Sequence, residues 1–297
     1  MSTSEEPAEL RALFGGPEAL GRQPDGLEDP QAGPEESDAR TRAPARARGG
    51  VANAMDVVDA LRPWEHRRQA GRGRPRLLLN MASTTDGRAT IGGRSGALGN
   101  RADRELFHAL RTAVDAVLVG AGTVRAEHYG RLVRDDSARA LRRVRGLAEE
   151  PLACVVSQSL ALPVDEIPLL ADPGARVAIL TPSSAGLPEC EADVSYVRCA
   201  RDGRLDLGAA IAELGNLGVN TVLCEGGPHL NAQLLAAGLV DELFLSLAPK
   251  LAGGDTSSES LRIVSGPALT PPVELELLDA LESESLLLLR YGVREAL

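Results

Sequence analysis

The chain has 297 residues, enough to bury a substantial core in one or two domains. Hydrophobic residues make up 43% and charged residues 25%, an ordinary globular balance, and no run approaches the roughly 20 apolar residues of a membrane-spanning helix. A formal net charge of −10 argues against a phosphate-backbone binder, and 2% aromatics leaves too few rings for a base-stacking platform.

Residues 1–50 contain 6 Pro and 7 Gly, with Glu clusters and an Arg-rich run from Arg40 to Arg48. Such a segment buries too little apolar surface to offset its ordering entropy. The reading is a disordered or weakly ordered arm over 1–73 and a single domain over 74–297. Within the arm, Val57, Val58, Leu61 and Trp64 form one apolar patch, suited to a short helix against the domain that ends near Pro63. The start, Met1-Ser-Thr-Ser-Glu-Glu, lacks the basic-then-apolar order of a secretory signal, so the cytoplasm is the expected compartment.

From residue 76 onward, apolar runs alternate with helical periods. Arg76–Ala82 reads as a strand. Asn100 is placed to cap a helix with Leu106, Leu110 and Val114 on one face. Ala116–Val119 is a short apolar strand. Arg139–Glu149 reads as an amphipathic helix with Leu141, Val144 and Ala148 in one stripe. Leu152–Val156 and Arg176–Leu180 are further strands, and Leu207, Ile211 and Leu214 mark another helix. Val219–Cys224 is a strand followed by a helix marked by Leu230 and Leu234. Glu242–Ala248, Val273–Leu281 and Ser285–Tyr291 are late strands without intervening helices. Strands buried on both faces and joined by helices imply a mainly parallel sheet in a three-layer α/β/α arrangement, with antiparallel strands at the C-terminal end.

Cys154, Cys190, Cys199 and Cys224 stand apart and read as buried free thiols. His66, His108, His128 and His229 show no metal-ligand spacing, so no metal site is expected. Lys250 is the only lysine among 32 basic residues, which reads as composition bias towards Arg.

Two glycine-bearing turns are the candidates for ligand chemistry. Glu225-Gly226-Gly227-Pro228-His229-Leu230 lies where a strand meets a helix; the glycines permit close backbone approach and Pro228 suits the helix's first turn. The N–H groups of such a turn favour a phosphate, although an ordinary strand-to-helix turn has equal weight from this motif alone. Gly120-Ala121-Gly122-Thr123 also follows an apolar strand, with structural and functional readings equally open, and the absence of a suitable ribose-binding acid disfavours a Rossmann domain. The polar stretch Glu127–Arg134 supplies Arg131 and Arg134, residues suited to a bidentate phosphate grip, with an ordinary solvated loop equally open. Asp86-Gly87-Arg88 follows the first strand and reads foremost as turn chemistry.

Two segments taken together, NMASTTDGRATIGGRSGALGNRADRELFHALRTAVDAVLVGAGTVRAEHYGRLVR (80–134) and CEGGPHLNAQLLAAGLVDELFLSLAPKLAGG (224–254), resemble the pyrimidine reductase domain of riboflavin biosynthesis. That domain is the C-terminal half of a bifunctional deaminase–reductase and has a dihydrofolate-reductase-like fold. No H-x-E or P-C-x-x-C pair accompanies it here, so the resemblance implies a stand-alone reductase. It further implies NADPH-dependent reduction of 5-amino-6-(5-phosphoribosylamino)uracil to its ribitylamino form, by a homodimer without nucleic-acid or membrane partners. Dihydrofolate or another pterin-like acceptor, and a non-catalytic nucleotide-binding role, are the alternatives.

The resemblance places cofactor contacts at Ala82, Gly120, Gly122, Thr123, Glu127 and Ser157, and through Gly226, Gly227, Pro228, His229, Leu230 and Asn231. It places substrate contacts at Ser95, Arg111, Arg131, Arg134 and Glu225, and the reaction centre at Asp86, Arg88 and Glu225. A carboxylate beside the sugar-linked nitrogen would favour the protonated imine that accepts hydride. Two departures reshape the pyrimidine side: Ser95-Gly96-Ala97 replaces the family's Ser-x-Trp, and Glu127-x-Tyr-Gly130 replaces Asp-Asp/Asn-Pro.

Overall fold

The computed structural model describes residues 10–12, 51–63, 73–254 and 261–294. In chain order it forms β1 (Leu10–Ala12), β2 (Val51–Ala52), α1 (Ala54–Leu61), β3 (Arg76–Thr84), α2 (Arg101–Arg111), β4 (Ala116–Gly120), α3 (Ala121–Ala126) and α4 (Asp136–Val144). It continues through β5 (Leu152–Val156), β6 (Arg176–Thr181), β7 (Asp193–Arg198), the small hairpin β8–β9 (Ala200–Arg201, Arg204–Leu205) and α5 (Leu207–Asn216). The last elements are β10 (Thr221–Cys224), α6 (Pro228–Ala236), β11 (Glu242–Ala248), β12 (Leu275–Ser283) and β13 (Leu286–Val293).

Apart from β8–β9, these strands make one sheet in the order β2-β1-β12-β13-β11-β3-β10-β4-β5-β6-β7. From β11 to β7 every neighbour is parallel; β13, β12, β1 and β2 add antiparallel pairs. The period-2 alternation of side chains splits the core into two layers. Leu78, Val117, Val119 and Leu223 face α1, α2 and α3, while Leu77, Leu79, Leu118 and Val222 face α5 and α6. Leu110 and Leu214 are fully buried, one in each layer, and truncating either to Ala should cost about 2–5 kcal/mol. The result is the expected three-layer α/β/α arrangement.

The chain enters β4 from one face of the sheet and β10 from the other. The helices that follow these adjacent parallel strands also diverge: α3 packs on one layer and α6 on the opposite one. The carboxyl ends of β4 and β10 are therefore a topological switch point, the place where open α/β sheets bind ligands.

The late strands are antiparallel to one another as expected, β11 with β13 and β13 with β12; β11 in addition runs parallel to β3, and a long segment separates it from β12. Two expectations need correction. The helix expected over Arg139–Glu149 is α4, which stops at Val144 because Gly146 takes a positive φ and Leu147 and Gly146 donate to the carbonyls of Arg142 and Arg143. Its stripe also fails, since Val144 is 85% exposed while Arg142 is fully buried. Arg142 donates to the carbonyls of Arg111, Val114 and Ala148, acceptors that an apolar residue would leave unsatisfied. Strand β7 escaped notice because DVSYVR is a mostly polar edge strand.

In the arm, β1 pairs with β12, and the Val57–Leu61 patch forms α1, with Val58 fully buried beside α2. Trp64 lies outside the described residues. All four cysteines are free. Cys154 and Cys224 are buried, their thiols pushed up to about 12 by desolvation; Cys190 and Cys199 are only half-buried.

Candidate active site

Helix capping singles out one place in the molecule. Helices α1, α2, α4 and α5 each begin with a side-chain cap, from Asn53, Asn100, Asp135 and Asp206. Helices α3 and α6 begin instead at Gly120 and Gly227, without a side-chain cap. Their first-turn N–H groups have no acceptor within the helix, and the positive end of each dipole adds to them.

These two N-termini adjoin. The Gly120 N–H donates to the Gly226 carbonyl at 2.8 Å. A Cβ on Gly227 would lie 2.8 Å from Thr123 Oγ1, so the second turn abuts the first, whereas a Cβ on Gly122 would meet nothing within 4 Å. The Gly226–Gly227 peptide is cis. Gly226 has a φ of +89°, and a Cβ there would press on Met81 Sδ at 3.2 Å. Both the geometry and the uncapped donors thus suit an anionic group such as a phosphate. His229 is exposed on the first turn of α6, while Leu230 packs beneath it.

Glu225 lies directly before this turn with its side chain 2% exposed. Arg111 grips it with two bonds, Nε to Oε1 and Nη2 to Oε2, each 2.7 Å. The Tyr129 hydroxyl donates to Oε2 at 2.5 Å. Burial alone would push Arg111 down, but the adjacent Glu225 carboxylate holds it above its ordinary value. Burial and the same carboxylate raise Tyr129 well above its ordinary value, so it stays a neutral phenol. Arg111 also stacks over Phe107, 4.2 Å from the ring centroid.

Asp86 and Arg88 sit in the turn after β3, at the same edge of the sheet. Asp86 is exposed and accepts from the backbone N–H groups of Ala252 and Gly253 and from Thr84 Oγ1. The Thr84 hydroxyl and these two amides lower its carboxyl from 3.8 to about 2. Arg88 donates to the Gly253 carbonyl. Ser95 donates through its N–H (3.0 Å) and hydroxyl (2.9 Å) to Glu127, the residue that closes α3. A proposed substrate contact and a proposed cofactor contact are therefore joined to each other.

Other sequence-derived candidates separate. Arg134 is exposed, with its guanidinium against Gly130, while Arg131 lies within 3.3 Å of Glu150 and 3.4 Å of Asp172. Ser157 is 3% exposed, and its hydroxyl accepts from Leu160 N–H. Asn231 is fully buried, donating to the Ile263 carbonyl at 2.7 Å and contacting Met81 Sδ. Ala82 lies mid-sheet opposite Ser246. The contact of Tyr129 with Glu225 joins residues 96 positions apart, and the Glu-x-Tyr-Gly departure marks Tyr129 without pointing to this partner.

Residues 75–284 match the family described as the RibD C-terminal domain. The chain is 31% identical over 184 residues to the 2,5-diamino-6-ribosylamino-4(3H)-pyrimidinone 5′-phosphate reductase of Methanothermobacter thermautotrophicus, covering 61% of this chain and 81% of that protein. It is 32% identical over 189 residues to riboflavin biosynthesis protein RibD of Escherichia coli, covering 62% of this chain and 50% of RibD. Its fold resembles a pyrimidine reductase-like protein of Corynebacterium diphtheriae, with a TM-score of 0.65 and 23% identity over 82% of this chain and all of that one. With more than half of its length matched, and with the carboxyl ends of β4 and β10 inside the matched range, the chain belongs to the RibD C-terminal domain family.

Proposed function

We propose that this protein is a riboflavin-pathway pyrimidine reductase that uses NADPH to convert a phosphoribosylamino-pyrimidine to its ribitylamino form. The names of its relatives support the substrate class. The observation that carries the cofactor reading is the adjacency of the two helices that lack side-chain caps.

In this reading the N-termini of α3 and α6 hold the diphosphate, and Gly122 leaves room for it. Bound there, NADPH supplies the hydride. Thr123 and Glu127 flank the cofactor from α3. Arg111, Tyr129 and Glu225 act as one unit at the heterocycle's polar end: Glu225 fixes the other two, and the neutral Tyr129 remains a donor. Asp86 keeps a negative charge at the strand edge at any working pH, which favours a protonated sugar-linked imine. Arg88 steadies the same loop. Arg134, exposed beside Gly130, takes the 5-phosphate, while Arg131 braces its segment through Glu150 and Asp172.

A homodimer is part of this reading. Leu245 and Leu247 of β11 pair with Leu289 and Leu287 of β13, and this apolar sheet face is only half-buried. Leu275 and Leu277 beside it are each 41% exposed, a surface suited to a second copy of the chain. No helix among the described residues is long and apolar enough to cross a membrane. The cytoplasm is the compartment proposed.

The test is steady-state NADPH oxidation with 5-amino-6-(5-phosphoribosylamino)uracil, its 2,5-diamino counterpart and dihydrofolate in separate reactions. Turnover on either pyrimidine supports the assignment. Turnover on dihydrofolate alone, or NADPH binding without turnover, would replace it.

A further inference from the structure

We infer that Lys250 is a positioning residue: a latch that holds the 95–98 turn, and with it Ser95, against the cofactor-side helix. The first observation is compositional. Of 32 basic residues, 31 are Arg, so the chain uses Arg wherever a cation suffices, and only here does it keep Lys. The second is geometric. Lys250 Nζ donates to the Ala97 carbonyl at 2.5 Å and the Leu98 carbonyl at 3.2 Å.

Both ends of this bridge are fixed. On one side, Thr85 N–H donates to the Lys250 carbonyl at 3.0 Å and Lys250 N–H donates to Ala248. Two residues further on, Asp86 holds the amides of Ala252 and Gly253. On the other side, Leu98 is buried, its N–H donates to the Ser95 carbonyl, and Ser95 donates twice to Glu127. With both backbones anchored, the distance to be spanned is set. A compact ammonium on a four-carbon stem spans it, whereas a longer, planar guanidinium would push the turn outward.

The acceptors alone do not demand Lys, because Arg142 also donates to two carbonyls from one nitrogen elsewhere in the chain. Reach is what distinguishes the two positions. The latch joins three segments at the carboxyl edge of the sheet: the turn after β3, the 95–98 turn, and the exit from β11. It acts on the substrate side through Ser95, a consequence that rests on the function proposed above.

Two variants and two readouts test it. Lys250→Met and Lys250→Arg should both raise the KM for the pyrimidine at least tenfold while leaving the KM for NADPH within twofold. In both, amide hydrogen exchange across residues 92–98 should accelerate at least tenfold, with β4 and β10 unchanged. The exchange measurement needs no substrate, so it stands even if neither pyrimidine is turned over. Reductive dimethylation of the folded wild-type protein is a further check, since Lys250 is exposed and its side-chain amine is the only one in the chain. Dimethyl-lysine keeps the charge but has a single N–H, so it must release one carbonyl and reproduce part of the exchange increase. Wild-type exchange at 92–98 in Lys250→Met, or wild-type behaviour of Lys250→Arg in both readouts, overturns the latch.

Discussion

Two carboxylates sit at the carboxyl ends of neighbouring strands, and their surroundings give them opposite characters. Glu225, after β10, is buried and neutralised by a bidentate arginine. Asp86, after β3, is exposed and faces only dipoles, two backbone amides and a hydroxyl. The first belongs to a locked unit whose net charge is close to zero. The second keeps its charge. Two carboxylates at similar strand-end positions thus differ through their partners, and the partners decide the chemistry.

The largest effect should come from breaking the buried unit on its cationic side. Arg111→Met leaves Glu225 buried without a counter-charge, a change that typically costs about 3–5 kcal/mol. Urea unfolding should show the loss as a lower midpoint. Removing the charge from the other side is milder. Glu225→Gln preserves shape and one acceptor for Arg111, but turnover should still fall at least tenfold, about 1.4 kcal/mol of barrier. An unchanged rate would remove Glu225 from the working site. Next come the two arginines of the 127–134 segment. Arg134→Met should raise the KM for a phosphorylated substrate several-fold, and Arg131→Met should mainly lower thermal stability. Equal KM effects would mean that the ion pairs with Glu150 and Asp172 do not occupy Arg131.

The smallest effect concerns Asp86 and depends on pH. Its carboxyl is depressed in the folded state, so the loop contacts it makes are fully present above its ordinary value of 3.8. They fade as pH falls through about 2. Amide exchange in the 250–254 loop should therefore differ between wild type and Asp86→Asn at neutral pH, and the two should converge once the pH is well below 2. A difference that persists at that pH would show that the carboxylate is not what holds the loop.

Much of the parallel half was legible in the sequence because strands such as Ala116–Gly120 and Leu152–Val156 are apolar on both faces and end at glycine or polar turns. The pairing partners were less legible. Nothing local in Glu242–Ala248 says that it will lie parallel to β3 rather than only against β13. Helix α4 was misread because hydrophobic periodicity assumes that the inward residue is apolar, and Arg142 turns inward to satisfy three carbonyls brought by distant chain. At the site, the glycines that leave α3 and α6 uncapped were visible as motifs. The ion pair of Arg111 with Glu225 was not, because the two residues are 114 positions apart. Asn231, which the resemblance placed among the cofactor contacts, has a second partner that local sequence did not show, since its amide donates to Ile263.

The cofactor reading is tested most directly by supplying the cap that α3 lacks. A Cβ at Gly120 would have ordinary contacts of 3.7 Å with Gly226 O and Gly227 N, so Gly120→Ala should fold and bind NADPH much as wild type does. Gly120→Asp adds a carboxylate that occupies the free N–H groups and repels phosphate. Calorimetric titration should give an NADPH Kd at least 100-fold higher for Gly120→Asp than for Gly120→Ala, about 2.7 kcal/mol, with no loss of thermal stability. Equal affinity in the two variants would contradict a diphosphate seated between α3 and α6.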